Sequence, residues 1–489
     1  MIALPSPDPE ILSRRGEVVA ALKRLVPDGV VAEPSGLAAY DGDALAAYRQ
    51  TPLVCVLPKS KDEVSAVLAF AHEMGLPIVP RGAGTSLSGG ALPRADGILL
   101  GFGRMNRILE IDLENRCVVA EPGVTNAAIT RAVEGDGFYY APDPSSQIAC
   151  TIGGNIAENS GGLHCLKYGL TTHNLLGVEF ALPDGARICF GGKAPGGDGL
   201  DLLGVITGSE GLLGVVVEAT VRILPKPPCA RTLLAGFHSV PDAGSCVANI
   251  IAAGIVPAAM EFMDRRCIEA VEIYCAPGYP KCEAILIIEI DGLAAEVADG
   301  VARVSGIARA SGAHEVREAA DARERERLWK GRKAAFSAMG RLAPDMLCMD
   351  GTIPRRALPS VLARMAEMAQ GYGLGFCNVF HAGDGNLHPL IIFDVMKAGE
   401  LERAEAFGAE ILRLCVAVGG VLTGEHGVGV EKRDLMPEMF SEADLAQQQR
   451  LKCAFDAAGL LNPGKVFPTL SACIEQGHAH VKRGAMRHA

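Results

Sequence analysis

Apolar and polar positions along this chain follow two periods, and the switches between them outline its elements. Between residues 10 and 26, Ile11, Leu12, Val18, Val19, Leu22 and Leu25 recur at helical spacing, so residues 1–50 read as an N-terminal helical extension appended to the first domain. The apolar run Leu53 to Leu57 reads as a strand. Ser60 and Glu63 then form a capping-box pattern ahead of Val64, Val67, Leu68 and Ala71, and Gly75 can end that helix. Leu76 to Val79 reads as the next strand, completing a β-α-β unit. Further short strands are expected at Ile98 to Leu100, Cys117 to Ala120 and Val215 to Ile223. The run Leu224-Pro225-Lys226-Pro227-Pro228 follows the last of these and marks the best change of domain. Beyond it, apolar strands such as Ala284 to Ile290 and one from Val379 onward alternate with charged helices at Ala319 to Met339 and Lys397 to Val418. The pattern predicts α+β architecture.

Length and composition narrow the class. With 489 residues, 49% hydrophobic content and 58 Gly, the chain suits a globular enzyme of two domains. A net charge of -11 without a basic, aromatic-interleaved run argues against nucleic acid as a partner. None of the 15 Cys pairs at Cys-x-x-Cys spacing, so they read as reduced, mostly core residues, and an iron-sulfur cluster is not expected in this chain. Electrons must then leave through a partner or a diffusible acceptor. The first residues lack the basic and apolar segments of a signal peptide, and the longest apolar stretches, such as Val247 to Met260 interrupted by Pro257, are short of the roughly 18 residues of a span. A cytoplasmic protein is expected, with any membrane association peripheral.

Chemistry concentrates in two places. The run Arg81-Gly82-Ala83-Gly84-Thr85-Ser86-Leu87-Ser88-Gly89-Gly90 follows a strand and can line an anion-binding nest with backbone donors. Leu87 stands where a dinucleotide fingerprint needs its third Gly, and no Gly-Lys-Ser/Thr follows, so nicotinamide and ATP are disfavoured. Second and third Gly-rich loops, from Gly153 to Gly162 and around Glu210, suit a long dinucleotide. Any one of them alone could be a tight turn.

The other place is Phe-His-Ala-Gly-Asp-Gly-Asn-Leu-His, Phe380 to His388, followed by Thr-Gly-Glu-His-Gly from Thr423. A strand-turn-strand reading of 376–393 brings His381 and His388 towards each other, and Glu425 completes a two-His-one-carboxylate set for a divalent metal, zinc, manganese or iron. Asp384 and Asn386 would shape the turn. His426 is placed as a general base, or as an outer group orienting Glu425.

Taken in order, Arg81 to Ala91, Gly153 to Gly162, Gly208 to Gly214 and Asn462 to Lys465 resemble the FAD-linked oxidases of the vanillyl-alcohol oxidase type. The His381 to His388 and Gly424 to Gly427 segments are similar to its D-2-hydroxyacid dehydrogenase branch, especially the glycolate-oxidising enzymes that carry FAD on one of several subunits. The resemblance implies a two-subdomain FAD-binding domain at 51–228, an α+β cap domain with the metal site at 229–440, and a segment at 441–470 returning to the flavin. The tail 471–489 would be disordered. It also implies that Arg81, Gly82, Ala83, Gly84, Thr85, Ser86 and Ser88 hold the FAD pyrophosphate. Pro142, Ser145, Gly153, Gly154, Asn155, Glu210 and Ile223 would line the cofactor, with Asn462 and Lys465 reaching it from the far end.

Relatives that attach FAD covalently use a His in the first loop; Thr85 stands there, so non-covalent FAD is expected. Arg332, in a helical stretch, matches the family's substrate-carboxylate Arg, the bland reading being a solvated helix face. Cys348 and Met349 replace the Lys that serves a distal carboxylate in the hydroxyglutarate branch, which leaves glycolate or D-lactate ahead. Such enzymes work with a second flavoprotein-like subunit and an iron-sulfur subunit, peripheral on the inner face of the membrane. Two rivals stand beside this reading: a metallohydrolase using the same triad, and a non-catalytic flavin-binding subunit.

Overall fold

Local signals take the chain a long way. In the computed structural model, which describes residues 2, 4–194, 196 and 199–468, the first apolar run is the strand Val54–Val56. The capping-box segment is the helix Lys61–Met74, where Glu63 N donates to Ser60 Oγ at 3.2 Å and Gly75 ends the helix at φ 67°. The helix buries Val64, Val67, Leu68 and Ala71 against a four-stranded sheet in the order Val30–Val31, Val54–Val56, Ile98–Gly101, Ile78–Arg81. Its last three strands run parallel, with Ile98–Gly101 in the middle.

The first fifty residues differ from the appendage expected of them. Their helical stretch is two helices, Pro9–Ser13 and Arg15–Leu25, and Val18, Leu22 and Val26 lie in the core of the first sheet. Val30–Val31 pairs with Val54–Val56, so this segment is part of the same packed unit.

A second sheet, five-stranded and antiparallel, runs in the order Ile108–Asp112, Cys117–Ala120, Val215–Arg222, Leu175–Ala181, Arg187–Gly191. The Pro-rich stretch then makes a short strand, Leu224–Pro225, paired with Phe138–Tyr139, and Cys229–Phe237 opens a third sheet. That sheet has seven strands, with Cys229–Phe237, Ala284–Gly292, Ala259–Asp264, Gly375–His381 and Pro389–Phe393 consecutive in it. Helices cover both faces. Val240–Ala252, Ala294–Ala310, Leu358–Tyr372 and Glu400–Ala417 build the largest core on one side, with Phe262 stacked on Phe380 at 4.6 Å. Arg265–Cys275 and the helices Ala322–Lys333 and Ala335–Met339 cover the other. The predicted helix 319–339 is thus broken at Ala334, while that at 397–418 is Glu400–Ala417. Burial on both faces explains the nearly unbroken apolar run of Ala284–Gly292.

Two returns close the molecule. Val430 N and Glu431 N donate to Ser88 O, tying the segment after Glu425 to the Gly-rich loop. After the helix Glu442–Phe455, Asn462 N donates to Ile78 O and Ile78 N to Leu460 O, extending the edge of the first sheet. The expected tail 471–489 lies outside the described residues. Ten of the thirteen free cysteines among the described residues are buried.

Candidate cofactor cavity and metal centre

The strand Ile78–Arg81 delivers the Gly-rich run to the edge of a cavity of about 430 Å³. Arg81, Gly82, Ala83, Gly84, Thr85 and Ser86 form one wall. Ser145, together with Gly153, Gly154 and Asn155 at the start of the helix Ile152–Glu158, forms another, and Glu210 closes the far side. Five of the expected contacts stand behind these walls. Ser88 is buried and donates from Oγ to His426 O at 2.9 Å, while Pro142 O accepts from Asn126 Nδ2. Ile223 belongs to the core of the second sheet. Asn462 Nδ2 donates to Gly90 O and Glu210 O, and Lys465 Nζ to Gly90 O at 2.7 Å and Leu92 O at 2.8 Å. These two hold the back of the loop. Their reach toward the cavity is through the backbone they position.

Lys465→Met keeps the stem but removes the amine donor from two buried carbonyls, of which only Gly90 O keeps a second donor, Asn462 Nδ2, so cofactor affinity is expected to fall about tenfold. Equilibrium dialysis against FAD measures it.

The strand-turn-strand at 375–393 places His381 last in one strand and His388 just before the next, ring centroids 5.0 Å apart. Glu425 Oε1 lies 3.3 Å from His381 Nε2 and 3.2 Å from His388 Nε2. The three donor atoms lie within 4.8 Å of one another, all three residues are largely buried, and His388 Nε2 has no hydrogen-bond partner. Glu425 Oε2 accepts from Gly161 N at 3.0 Å, which fixes the carboxylate. Burial opposes charge on both imidazoles, yet Glu261 and Glu425 hold the pKa of His381 well above its usual value, and Asp350 and Glu425 raise that of His388. Against its own burial, Glu425 is held well below the carboxylate range by the two His. Two imidazoles and an ionised carboxylate converging on one point fit a divalent metal.

His426 stacks on His388 at 4.9 Å, and His388, Glu425 and His426 all line the cavity that the Gly-rich loops form. Burial pushes the His426 pKa down to about 4, with Asp350 opposing.

Two family models match the chain, "FAD binding domain" over residues 52–190 and "FAD linked oxidases, C-terminal domain" over 226–466. Glycolate oxidase subunit GlcD of Escherichia coli strain K12 is 51% identical over 99% of this chain and 96% of its own length. The chain belongs to the FAD-linked oxidases. D-lactate dehydrogenase of Archaeoglobus fulgidus is 35% identical over 85% of the chain and 92% of its own length. The crystal structure of p-cresol methylhydroxylase with substrate bound shares the fold, with TM-score 0.79 and 17% identity over 95% of this chain and 98% of that one.

The cavity fits the FAD of this oxidase family. Thr151 Oγ1, Asn155 Nδ2 and Glu158 Oε2 are buried without partners, and all three residues line it. These are groups awaiting hydrogen bonds from a polar cofactor.

Arg332 is placed elsewhere than expected. It is 1% exposed, ion-paired to Glu261 at 2.5 Å, and lines neither this cavity nor its neighbour. Its burial corrects the solvated helix face, and Glu261 engages the guanidinium expected to clamp the substrate carboxylate. Glu261 itself escaped the sequence reading. It stands directly opposite His381 in the pairing of Ala259–Asp264 with Gly375–His381, and its Oε1 lies 2.8 Å from His381 Nδ1. The signal was a Glu inside an apolar strand, Ala-Met-Glu-Phe-Met. Asp350 was also passed over as a site residue: it accepts from the backbone of Gly424, Glu425 and His426 and lies 3.7 Å from the buried Lys432. One carboxylate thereby shapes the whole turn that carries Glu425. Asp384 and Asn386 lie in the histidine turn as expected, Asn386 N donating to Asp384 Oδ1.

Proposed function

We propose that this FAD-linked oxidase oxidises a small D-2-hydroxy acid, glycolate or D-lactate, to the 2-oxo acid. The observation that carries the reading is that His388, Glu425 and His426 line the same cavity as the Gly-rich loops. When bound, FAD would supply the hydride acceptor at N5, and a divalent metal on His381, His388 and Glu425 would supply Lewis-acid polarisation of the substrate oxygens.

The protein's own residues do the rest. Glu261 takes the Nδ1 hydrogen of His381, which leaves the Nε2 lone pair facing Glu425 and the metal position. Arg332 holds Glu261 through Nε at 2.8 Å and so positions the ligand rather than the substrate. His426 is kept neutral by burial and accepts the hydroxyl proton at Nε2, 3.9 Å from Glu425 Oε1.

Relatives named for glycolate oxidase and for D-lactate dehydrogenase both support the class, the first at 51% identity and the second at 35%. A dicarboxylate is disfavoured: Cys348 and Met349 are buried, line neither cavity and bring no cation. A D-lactate dehydrogenase that turns over without partner subunits is the second reading. The relative named as a subunit favours instead a multi-subunit complex, and the proposal takes its other members to be a second flavoprotein-like subunit and an iron-sulfur subunit. A cytoplasmic site, peripheral on the inner face of the membrane, belongs to the same proposal; no helix among the described residues is long and apolar enough to cross a membrane. Family membership sets the hydrolase reading aside.

The test is the visible spectrum of the FAD-loaded protein upon anaerobic addition of glycolate, then D-lactate. Bleaching of the flavin band is expected, and prior treatment with a chelator should abolish it. A yellow protein that neither acid bleaches would sink the substrate assignment, and bleaching that survives verified metal removal would sink the metal role.

A further inference from the structure

The ligand cluster faces two cavities. Glu425 lines the cofactor cavity and also a second one of about 270 Å³, whose wall includes His381, Arg355, Asp384 and His173. With FAD in the first cavity, the second is a way to the ligand cluster that the cofactor leaves open. We infer that the second cavity is the route by which small hydroxy-acid anions reach the metal centre, with Arg355 as their carboxylate contact along it. The inference rests on the function proposed above and adds a residue and a path to it.

Arg355 is suited to this where Arg332 is not. Arg332 is sealed in the interior against Glu261. Arg355 is half-buried in the cavity wall, and among the described residues only its Nε is engaged, donating to Gly383 O at 2.5 Å. Its two terminal nitrogens remain as donors for a carboxylate. The carboxylates on this wall are Asp384 and Glu425, the latter facing both His ligands. Arg355, together with a divalent ion on that cluster, turns the local balance toward anions.

The wall opposite Arg355 is anchored by contacts within the first domain and to the seven-stranded sheet. Lys167 and Tyr168 bond Asp291 of the seven-stranded sheet, and His164 Nδ1 lies 2.9 Å from Asp143 Oδ2 with Nε2 3.8 Å from Glu289. These pairs fix the segment of Cys165, Leu166 and Gly169 that forms the opposite wall. His173 is exposed, so a larger ring there can narrow the route without disturbing the core.

Two measurements on the full-length protein loaded with FAD and zinc test this. In anaerobic flavin reduction by glycolate and D-lactate, Arg355→Met should raise the half-saturating acid concentration about tenfold, with a smaller change in limiting rate, and Arg355→Lys should recover part of it. Independently, His173→Trp should slow zinc loss to a chromogenic chelator several-fold, a readout that needs no turnover. Unchanged half-saturation in Arg355→Met, or unchanged zinc loss in His173→Trp, overturns the inference alone. A wild-type protein that takes up none of zinc, manganese and iron overturns the inference together with the functional reading beneath it.

Discussion

Glu425→Gln should leave a folded, yellow protein that no longer holds metal and whose flavin is reduced by glycolate or D-lactate about a thousandfold more slowly, the scale of a lost Lewis acid. Glu425 Oε1 sits between the two imidazole nitrogens, at 3.3 and 3.2 Å, and is the anionic member of the set. A neutral amide ligates a divalent cation poorly, and two His without a carboxylate make a weak site. The substitution is chosen because Oε2 accepts from Gly161 N, and a Gln side-chain oxygen can keep that contact. The turn and the cavity wall should therefore survive. Metal content, flavin absorbance and anaerobic reduction rate, measured on one preparation, check the three parts separately. Wild-type reduction rates in a metal-free Gln variant would remove the metal from the mechanism.

The second large effect is expected at Gly429→Ala. This residue has φ 53°, and a Cβ there would overlap Ser88 O. The obstacle is backbone, so no side-chain rotation relieves it. The same stretch is gripped from two sides, with Val428 N and Gly429 N donating to Glu210 at 2.7 and 2.8 Å, and Val430 N and Glu431 N donating to Ser88 O. Moving it breaks the two Ser88 bonds that join the Gly-rich loop to the segment following Glu425 and His426. A loss of about 3 kcal/mol is expected, combining left-handed strain with the clash. FAD should dissociate on gel filtration, and the melting temperature should fall. Full FAD retention at the wild-type melting temperature would show that this junction is looser than the contacts indicate.

Much of the fold could be read from local pattern because its causes are local. Ser60 with Glu63 and the terminal Gly75 bound one helix, and the alternation around Gly-Asp-Gly turned His381 back toward His388. Propensity, capping and turn chemistry act over a few residues, and there the reading and the structure agree. The break at Ala334 was missed because Ala334-Ala335-Phe336-Ser337-Ala338-Met339 holds no Gly or Pro to mark a helix end.

What the sequence determined by itself was therefore the set of strands and helices, the Gly-rich loops, the histidine turn and the family they resemble. The tertiary structure alone decided which groups meet. Glu261 faces His381 because two strands 120 residues apart pair in that register. Arg332 points at Glu261 because its helix packs on that face of the sheet, and the N-terminal segment joins the first core because Val18, Leu22 and Val26 complete it. Ser88, Ile223, Asn462 and Lys465 fell behind the cavity walls for the same reason. Long-range register follows from burying many apolar faces at once, a cooperative quantity that no short window of sequence contains.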